Sequence, residues 1–193
     1  MLHQFISYHL SWLRPLGFIR SKSDSQCVRR KFPGGFVEIG FPFWRWGKSF
    51  ECSWLLALRV DEVENIYNEF SGVLPEYREG TETLAVKRNH FTDGGDEKIE
   101  FDAESFSLKM AQIKNELERH AIPFLDKRYS YEQLASLLKP GGLDFRQNYT
   151  SGIHGLICSF LDGQDLDEAH KTYSPYFVTT PSYKKRSLEM CLA

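Results

Sequence analysis

The chain has 193 residues, with 24 Lys and Arg against 26 Asp and Glu and a formal net charge of −2 at pH 7. This length fits one domain, or a domain with a small appendage. Hydrophobic residues make up 41% of the chain and aromatic residues 15%, which excludes an intrinsically disordered protein. No apolar run approaches the roughly 20 residues that a membrane-spanning helix needs.

Hydrophobic periodicity predicts a helix followed by an antiparallel meander. Apolar side chains recur every three or four residues over 2–16, as in an amphipathic helix. Strands are expected over 26–32, 36–43 and 50–60, and the last of them alternates strictly between its two faces. Residues 44–48 connect the second and third strands as a hairpin loop or a bulged corner. Short turns between successive strands are typical of an antiparallel sheet.

The remaining residues are predicted to be mainly helical. A short helix over 61–70, a strand over 83–91 and a short strand over 98–101 come first. A helix over 104–121 is expected to end at Ile122-Pro123, and Ser130 can cap a helix that stops before Pro140. Further helices are predicted over 150–161, 165–173 and 182–192.

This order of elements predicts the fold class. Strands and helices are grouped rather than alternating, which is typical of α+β proteins. We expect an antiparallel four- to five-stranded sheet covered by helices over 1–128, and a helical C-terminal extension over 129–193 that packs on the same domain. The side chains predicted to face inward are Leu13, Phe18, Val37, Ile39, Phe41, Cys52, Trp54, Leu56, Leu58, Met110, Ile113 and Leu117.

Cysteine usage predicts a reducing compartment. The four cysteines are scattered, without a C-x-x-C pair, and the opening residues lack the pattern of a secretory signal. A secreted disulfide-rich protein of this size would have more cysteines. We therefore expect a cytoplasmic protein with free thiols.

Linear motifs for catalysis or metal binding are missing from the sequence. His154 and Cys158 lie four residues apart on a predicted helix and share a face, which could suit a nucleophile pair or two metal ligands. No acidic partner has a recognisable spacing, so we favour a small buried thiol and a surface imidazole. The sequence predicts no metal and no cofactor. An enzyme whose site is assembled in space, without a linear motif, stays an alternative.

Charge is distributed unevenly along the chain. Residues 1–60 contain nine Lys and Arg against three Asp and Glu, whereas residues 61–104 contain four against thirteen. The acidic stretch predicts a docking face for a basic partner, attracted by long-range electrostatics. The residues expected to form this face are Glu62, Glu69, Glu76, Glu79, Glu82, Asp93, Asp96 and Glu97.

A second candidate surface is the aromatic hairpin. In an extended strand, Trp44 and Trp46 face the same side and Arg45 the opposite side. We expect at least one of the two tryptophans to be exposed. Aromatic and basic residues together can bind single-stranded nucleic acid. We favour a protein partner because the sequence pI near 6.3 lacks the basic character of most nucleic-acid-binding domains.

Several short motifs resemble an uncharacterised bacterial family, a domain of unknown function. They are LRPLGFIR (Leu13 to Arg20), CVRR, FVEIGF and IPFLDKRYSYEQL (Ile122 to Leu134), with Gly17-Phe18 and Phe124-Leu125-Asp126 the best matches. The resemblance covers residues 2–138. It implies an α+β fold and no established activity. Some small cytoplasmic domains of this kind lie beside toxin genes and act as immunity or accessory proteins.

The charge pattern and the resemblance together predict a non-enzymatic cytoplasmic protein-binding domain. It would be an immunity or accessory protein that docks a basic partner, such as a toxin, through its acidic face. A membrane is not an expected partner. An enzyme with a spatially assembled site and a single-stranded nucleic-acid binder stay open as alternatives.

Overall fold

A computed structural model of the chain describes residues 2–22, 24–92 and 99–177. Contacts within the chain divide it into two compact units, and each is formed by two separate stretches of sequence. The first unit contains residues 1–58 and 86–127, and the second contains residues 59–85 and 128–193. The predicted packing of 129–193 on a 1–128 domain stays a prediction.

The first unit contains most of the strands and the N-terminal helix. Its helices are α1 (Leu2–Leu13), α4 (Phe106–Glu116) and α5 (Ile122–Asp126). Its strands are β1 (Ile19–Arg20), β2 (Cys27–Phe32), β3 (Gly35–Gly40), β4 (Phe43–Trp46), β5 (Ser49–Cys52), the larger part of β6 (Leu55–Val60), and β8 (Ile99–Phe101).

The second unit is mainly helical. Its helices are α2 (Asp61–Phe70), α3 (Pro75–Arg78), α6 (Tyr131–Leu138), α7 (Tyr149–Leu161) and α8 (Leu166–Tyr173). Strand β7 (Leu84–Lys87) crosses from this unit into the first. The α+β class and the helical C-terminal part are thus confirmed. No helix in the described residues is long and apolar enough to cross a membrane.

The strands form two sheets where the sequence predicted one. The larger has the order β1-β2-β3-β6-β7 and the smaller the order β4-β5-β8. The predicted strand 36–43 is interrupted after Gly40, because Pro42 has no N–H to donate to a ladder. The predicted strand 50–60 is interrupted at Ser53, whose N–H donates to the carbonyl of Pro42 at 3.0 Å. Both predicted long strands are therefore interrupted, and the two interruptions face each other at Pro42 and Ser53.

Two further boundaries differ from the predicted ones. The helix predicted over 104–121 does not end at Pro123: a π-helical turn over Leu117–Ala121 continues into α5. Pro123 lies in the first turn of α5, where proline is tolerated. The strand predicted over 83–91 ends at Lys87, where a 3₁₀ turn begins. The predicted helix 182–192 lies outside the described residues.

The core confirms the predicted hydrophobic pattern. All twelve side chains predicted to face inward are buried. Helix α1 contributes Phe5, whose ring centroid lies 5.4 Å from the rings of both Phe41 and Phe43. Period-two and period-3.6 patterns therefore located the buried faces correctly, even where the strand ends were wrong.

A half-buried carboxylate links three elements of the first unit. Glu116 on α4 accepts hydrogen bonds from Nε and Nη2 of Arg88, both at 2.8 Å, and from the indole Nε1 of Trp54 at 3.1 Å. Gln112 also donates to it. Burial alone would raise the pKa of Glu116, but these donors outweigh burial and hold the pKa below its ordinary value.

We expect Trp54→Phe to lower the free energy of unfolding by about 2 kcal/mol, because Glu116 loses a donor and the core loses volume. Trp12→Phe is the matched control, since the Trp12 indole N–H has no partner among the described residues. It should change stability by less than about 0.5 kcal/mol. Urea unfolding followed by circular dichroism measures both, and equal losses would contradict a role for the indole hydrogen bond.

Candidate functional site

The predicted acidic residues that the structure describes lie on the second unit. Glu62, Glu69, Glu76 and Glu79 are exposed and Glu82 is half-buried, whereas Asp93, Asp96 and Glu97 lie outside the described residues. In the described part of the chain, Glu69, Glu76 and Glu79 form no ion pair with a basic side chain. Their charge is therefore not neutralised locally.

The negative charge of the second unit is concentrated in one of its two stretches. Residues 59–85 contain two Lys and Arg against seven Asp and Glu, a net charge of −5. Residues 128–193 contain seven of each and are neutral. The excess charge thus belongs to α2, α3 and the loops beside them.

Large apolar side chains are exposed between these glutamates. Phe70 is 43% exposed, Leu74 56% and Tyr77 66%. We call residues 69–79 the acidic–aromatic segment. The exposure of these three apolar residues could not be predicted from the sequence, because a short run without periodicity does not indicate whether its side chains are exposed. The available signal was the unusual occurrence of Leu74 and Tyr77 in an otherwise polar stretch.

The backbone of the acidic–aromatic segment is ordered by local hydrogen bonds. Helix α2 ends where the Ser71 N–H donates to the carbonyl of Tyr67 at 2.9 Å. Gly72 has a φ of +71°, which other residues rarely adopt, and it turns the chain away from the helix. Pro75 then begins α3, as proline commonly does in a first helical turn.

A buried guanidinium holds the C-terminal end of the segment. Arg59 Nη1 donates to the carbonyl oxygens of Arg78 at 2.6 Å and of Thr81 at 3.0 Å. Its Nε donates to Asp61 at 2.6 Å. Because Arg59 is buried, these acceptors replace the water that the charge has lost. The end of the segment is therefore tied to β6.

Beneath the segment, α2 presents a buried carboxylate to α7. Glu64 Oε1 accepts from the Thr83 hydroxyl at 2.9 Å and lies 3.1 Å from Nε2 of His154. Glu64 and His154 are almost completely buried. The length of the His154 contact suits a hydrogen bond but its direction does not. His154 therefore contacts the carboxylate closely without a well-directed hydrogen bond.

The ionised form of Glu64 is favoured in the folded protein. Burial alone would raise the pKa of Glu64, but the contact with His154 and the hydroxyl groups of Thr81 and Thr83 outweigh burial and lower the pKa to about 2. Oε2 of Glu64 and Oδ1 of Asn68 have no hydrogen-bond partner among the described residues. The cluster is therefore electrostatically matched but not fully hydrogen-bonded.

This cluster corrects the prediction for His154 and Cys158. His154 is buried rather than on the surface, and its acidic partner, Glu64, is ninety positions away in the sequence, where no spacing could have revealed it. Cys158 is buried as predicted. Burial raises the pKa of its thiol, which disfavours the nucleophilic thiolate. The geometry supports a structural role for both residues.

A cleft of about 260 Å³ lies among α6, α7 and α8. Its charged side chains, Glu132, Lys139, Asp165 and Glu168, are all exposed. The buried polar groups in its wall include the hydroxyls of Ser159 and Tyr173, and the pKa of Tyr173 is raised to about 12 mainly by burial. No set of three or more His, Cys, Asp or Glu in the described residues could hold a metal ion. Among the described residues that line the cleft, we therefore find no acid–base pair that would suggest an enzymatic site.

The aromatic hairpin belongs to the first unit. Trp44, Arg45 and Trp46 form β4 with Phe43 and are all exposed. The expectation that at least one tryptophan is exposed is thus confirmed. The residues predicted to contact a partner are divided between the two units, with the hairpin in one and Glu62 to Glu82 in the other.

No protein-family model matches the sequence, and no curated protein or solved structure matches it either. The resemblance to an uncharacterised bacterial family therefore stays a hypothesis.

We expect Glu64→Gln to lower the free energy of unfolding by about 3 kcal/mol, because it removes the charge that faces buried His154. Glu69→Gln is the matched control, since Glu69 lies on the same helix but is exposed. It should change stability by less than about 0.5 kcal/mol. Urea unfolding monitored by circular dichroism gives both values. Equal effects would show that the buried contact contributes nothing.

The Glu64 contact also predicts a pH dependence. The pKa of Glu64 in the folded protein, about 2, is lower than its ordinary value of 4.5. The stabilisation is therefore complete above pH 4.5 and is lost as the pH falls toward 2. The difference in unfolding free energy between wild type and Glu64→Gln should shrink between about pH 5 and pH 3. A difference that stays constant across this range would contradict the assignment.

Proposed function

We propose that this chain is a protein-binding domain that docks a basic partner through the acidic–aromatic segment. The observation that carries the proposal is the exposure of Phe70, Leu74 and Tyr77 among glutamates that form no ion pair within the described part of the chain. Exposed apolar side chains surrounded by polar residues are typical of interaction sites. Aromatic residues are also enriched among those that contribute most to binding.

The two kinds of side chain would contribute to different steps of binding. Exposed carboxylates such as Glu76 and Glu79 attract a basic surface over several ångströms and so accelerate association. Tyr77 and Leu74 bury apolar area once the partner is in place and so slow dissociation. A partner with apolar positions surrounded by lysines or arginines fits this combination.

The buried Arg59 favours binding by keeping the segment ordered before the partner arrives. An unsupported loop would lose conformational freedom on binding, and that loss would weaken affinity. Because Arg59 already holds the carbonyls of Arg78 and Thr81, less ordering remains to be done. Arg59 supports the segment but is not itself a contact residue, because its side chain is buried.

The proposal extends to the class of partner and to the compartment. A basic toxin is a partner of the right charge, and some small cytoplasmic domains of the kind that this chain resembles act as immunity or accessory proteins. Cys27, Cys52 and Cys158 are free thiols in the described part of the chain. Free buried thiols fit a reducing compartment such as the cytoplasm.

The test uses the partner that the full chain captures from lysate of its native cells. The double reversal Glu76→Lys and Glu79→Lys should slow association about tenfold at low salt and leave dissociation nearly unchanged. Tyr77→Ala should instead accelerate dissociation by about tenfold or more. Stopped-flow or surface plasmon resonance at several salt concentrations separates these rates.

Glu104→Lys is the matched control, because Glu104 is exposed but belongs to the first unit. The rate at which the Glu104→Lys variant associates with the partner should stay close to that of wild type, once the change in net charge is allowed for. The proposal fails if the association rate is independent of salt, or if Glu104→Lys and the double reversal are equally slow.

A further inference from the structure

A basic and apolar surface lies where β1 forms the edge of the five-stranded sheet. Its three large apolar side chains are exposed, Leu16 by 41%, Ile19 by 60% and Phe32 by 40%. The cationic side chains of Arg14 and Lys31 are also exposed. We call these five residues the basic–apolar patch.

The backbone holds the residues of the patch close together. Arg14 and Leu16 lie in a 3₁₀ turn that precedes β1. Arg30 of β2 donates from Nη1 to the carbonyl of Leu16 at 3.3 Å and so holds this turn beside β2. Strand β1 pairs with β2 in a register that places Lys31 on the same side of the sheet as Ile19. The next residue of β2 faces the other side, so the patch reaches around the edge of the sheet.

The patch has an excess of positive charge. The two arginines of β2 already form ion pairs, with Glu38 and with Asp126. In the described part of the chain, Arg14 and Lys31 form no ion pair. Residues 14–32 contain six Lys and Arg against one Asp, a net charge of +5. The nearby carboxylates therefore do not neutralise the patch.

The acidic–aromatic segment of the same chain has the opposite character. It combines three exposed apolar side chains with three glutamates that form no ion pair in the described part of the chain. It lies in the stretch 59–85, whose net charge is −5. Each surface thus has the charge that the other lacks, and both expose apolar area that association would remove from water.

We propose that the basic–apolar patch binds the acidic–aromatic segment of a second copy of this chain. Arg14 and Lys31 lie against the glutamates of the segment, and the exposed apolar side chains of the two surfaces pack on each other. A second copy is the occupant that fits, because its segment matches the patch both in charge and in exposed apolar area. The contact joins two different surfaces, so it is heterologous and one copy can contact two others.

This proposal rests on the function proposed for the acidic–aromatic segment and adds a competitor for the same site. While a second copy covers the segment, a basic partner has to displace that copy before it can bind. Self-association therefore keeps the segment covered at high concentration of the chain, and a basic partner shifts the equilibrium toward single copies by mass action.

Sedimentation velocity of the full chain measures this self-association. Between about 5 and about 300 µM the sedimentation coefficient should rise with concentration, and high salt should reduce the rise. Arg14→Glu with Lys31→Glu should weaken self-association about tenfold or more, and so should Glu76→Lys with Glu79→Lys. An equimolar mixture of the two double variants should associate again, because each supplies the intact surface that the other lacks.

Arg45→Glu with Lys48→Glu is the matched control. Both residues are exposed and belong to the first unit, and the change in net charge is the same as in the patch variant. This control should self-associate like wild type once the change in net charge is allowed for. Ile19→Ser, which leaves the charge unchanged, should weaken self-association about tenfold. Because all the replaced side chains are exposed, the circular dichroism spectra should stay unchanged.

Three results would overturn the proposal. One is a sedimentation coefficient that stays constant up to about 300 µM. Another is a mixture of the two double variants that does not associate, or a control variant that is weakened as much as the patch variant. The third is a wild-type chain that stays single while the patch variant loses binding to vesicles of anionic phospholipid, which would assign the patch to a membrane surface.

The partner captured from lysate distinguishes this inference from the proposed function. At about 0.1 µM chain, where copies are single, the patch variant should associate with that partner no more slowly than wild type, whereas Glu76→Lys with Glu79→Lys should slow association. Self-association without this slowing would contradict the proposed function alone. Slowed partner binding in a chain that never self-associates would contradict only the present inference.

Discussion

The buried guanidinium of Arg59 is the constraint on which the second unit depends. A cation that has lost its water must find acceptors, and here two of them are backbone carbonyls of Arg78 and Thr81. The chain between α2 and β7 is consequently drawn back toward the end of β6. Exposed Tyr77 directly precedes Arg78, so its backbone lies next to a carbonyl that this tether fixes.

Each unit has a carboxylate largely removed from water, half-buried Glu116 in the first and fully buried Glu64 in the second, and the two are stabilised differently. Glu116 in the first unit has donors for both oxygens, two of them from the fork of Arg88, and such a site is rigid. Glu64 in the second unit has one oxygen in contact with Thr83 and His154 and one without a partner among the described residues. Its stability comes more from electrostatics than from hydrogen bonding. The core of the second unit is therefore the more sensitive of the two to changes in protonation.

Hydrophobic periodicity predicted the buried faces of the strands and helices. It could not predict which residues distant in the sequence contact each other. The alternation of Cys52, Trp54, Leu56 and Leu58 identified a buried face, because side-chain direction depends only on local geometry. The division into two sheets depends on Pro42 and on the partner that Ser53 finds, and that is a tertiary event. The Glu64–His154 contact joins residues far apart in sequence, and no linear motif records it. Glutamate exposure could be predicted from composition, but the exposed apolar residues of the acidic–aromatic segment could not.

The interleaving of the two units along the chain imposes an order on folding during synthesis. Helix α2 leaves the ribosome with the first half of the second unit, but its partner α7 is made about ninety residues later. At about 5–20 residues per second, Glu64 remains in water for several seconds before His154 exists to meet it. The intervening residues 86–127 meanwhile belong to the first unit, which can complete its own carboxylate network as soon as Glu116 emerges. The first unit can therefore complete its own contacts while the second unit still lacks α7.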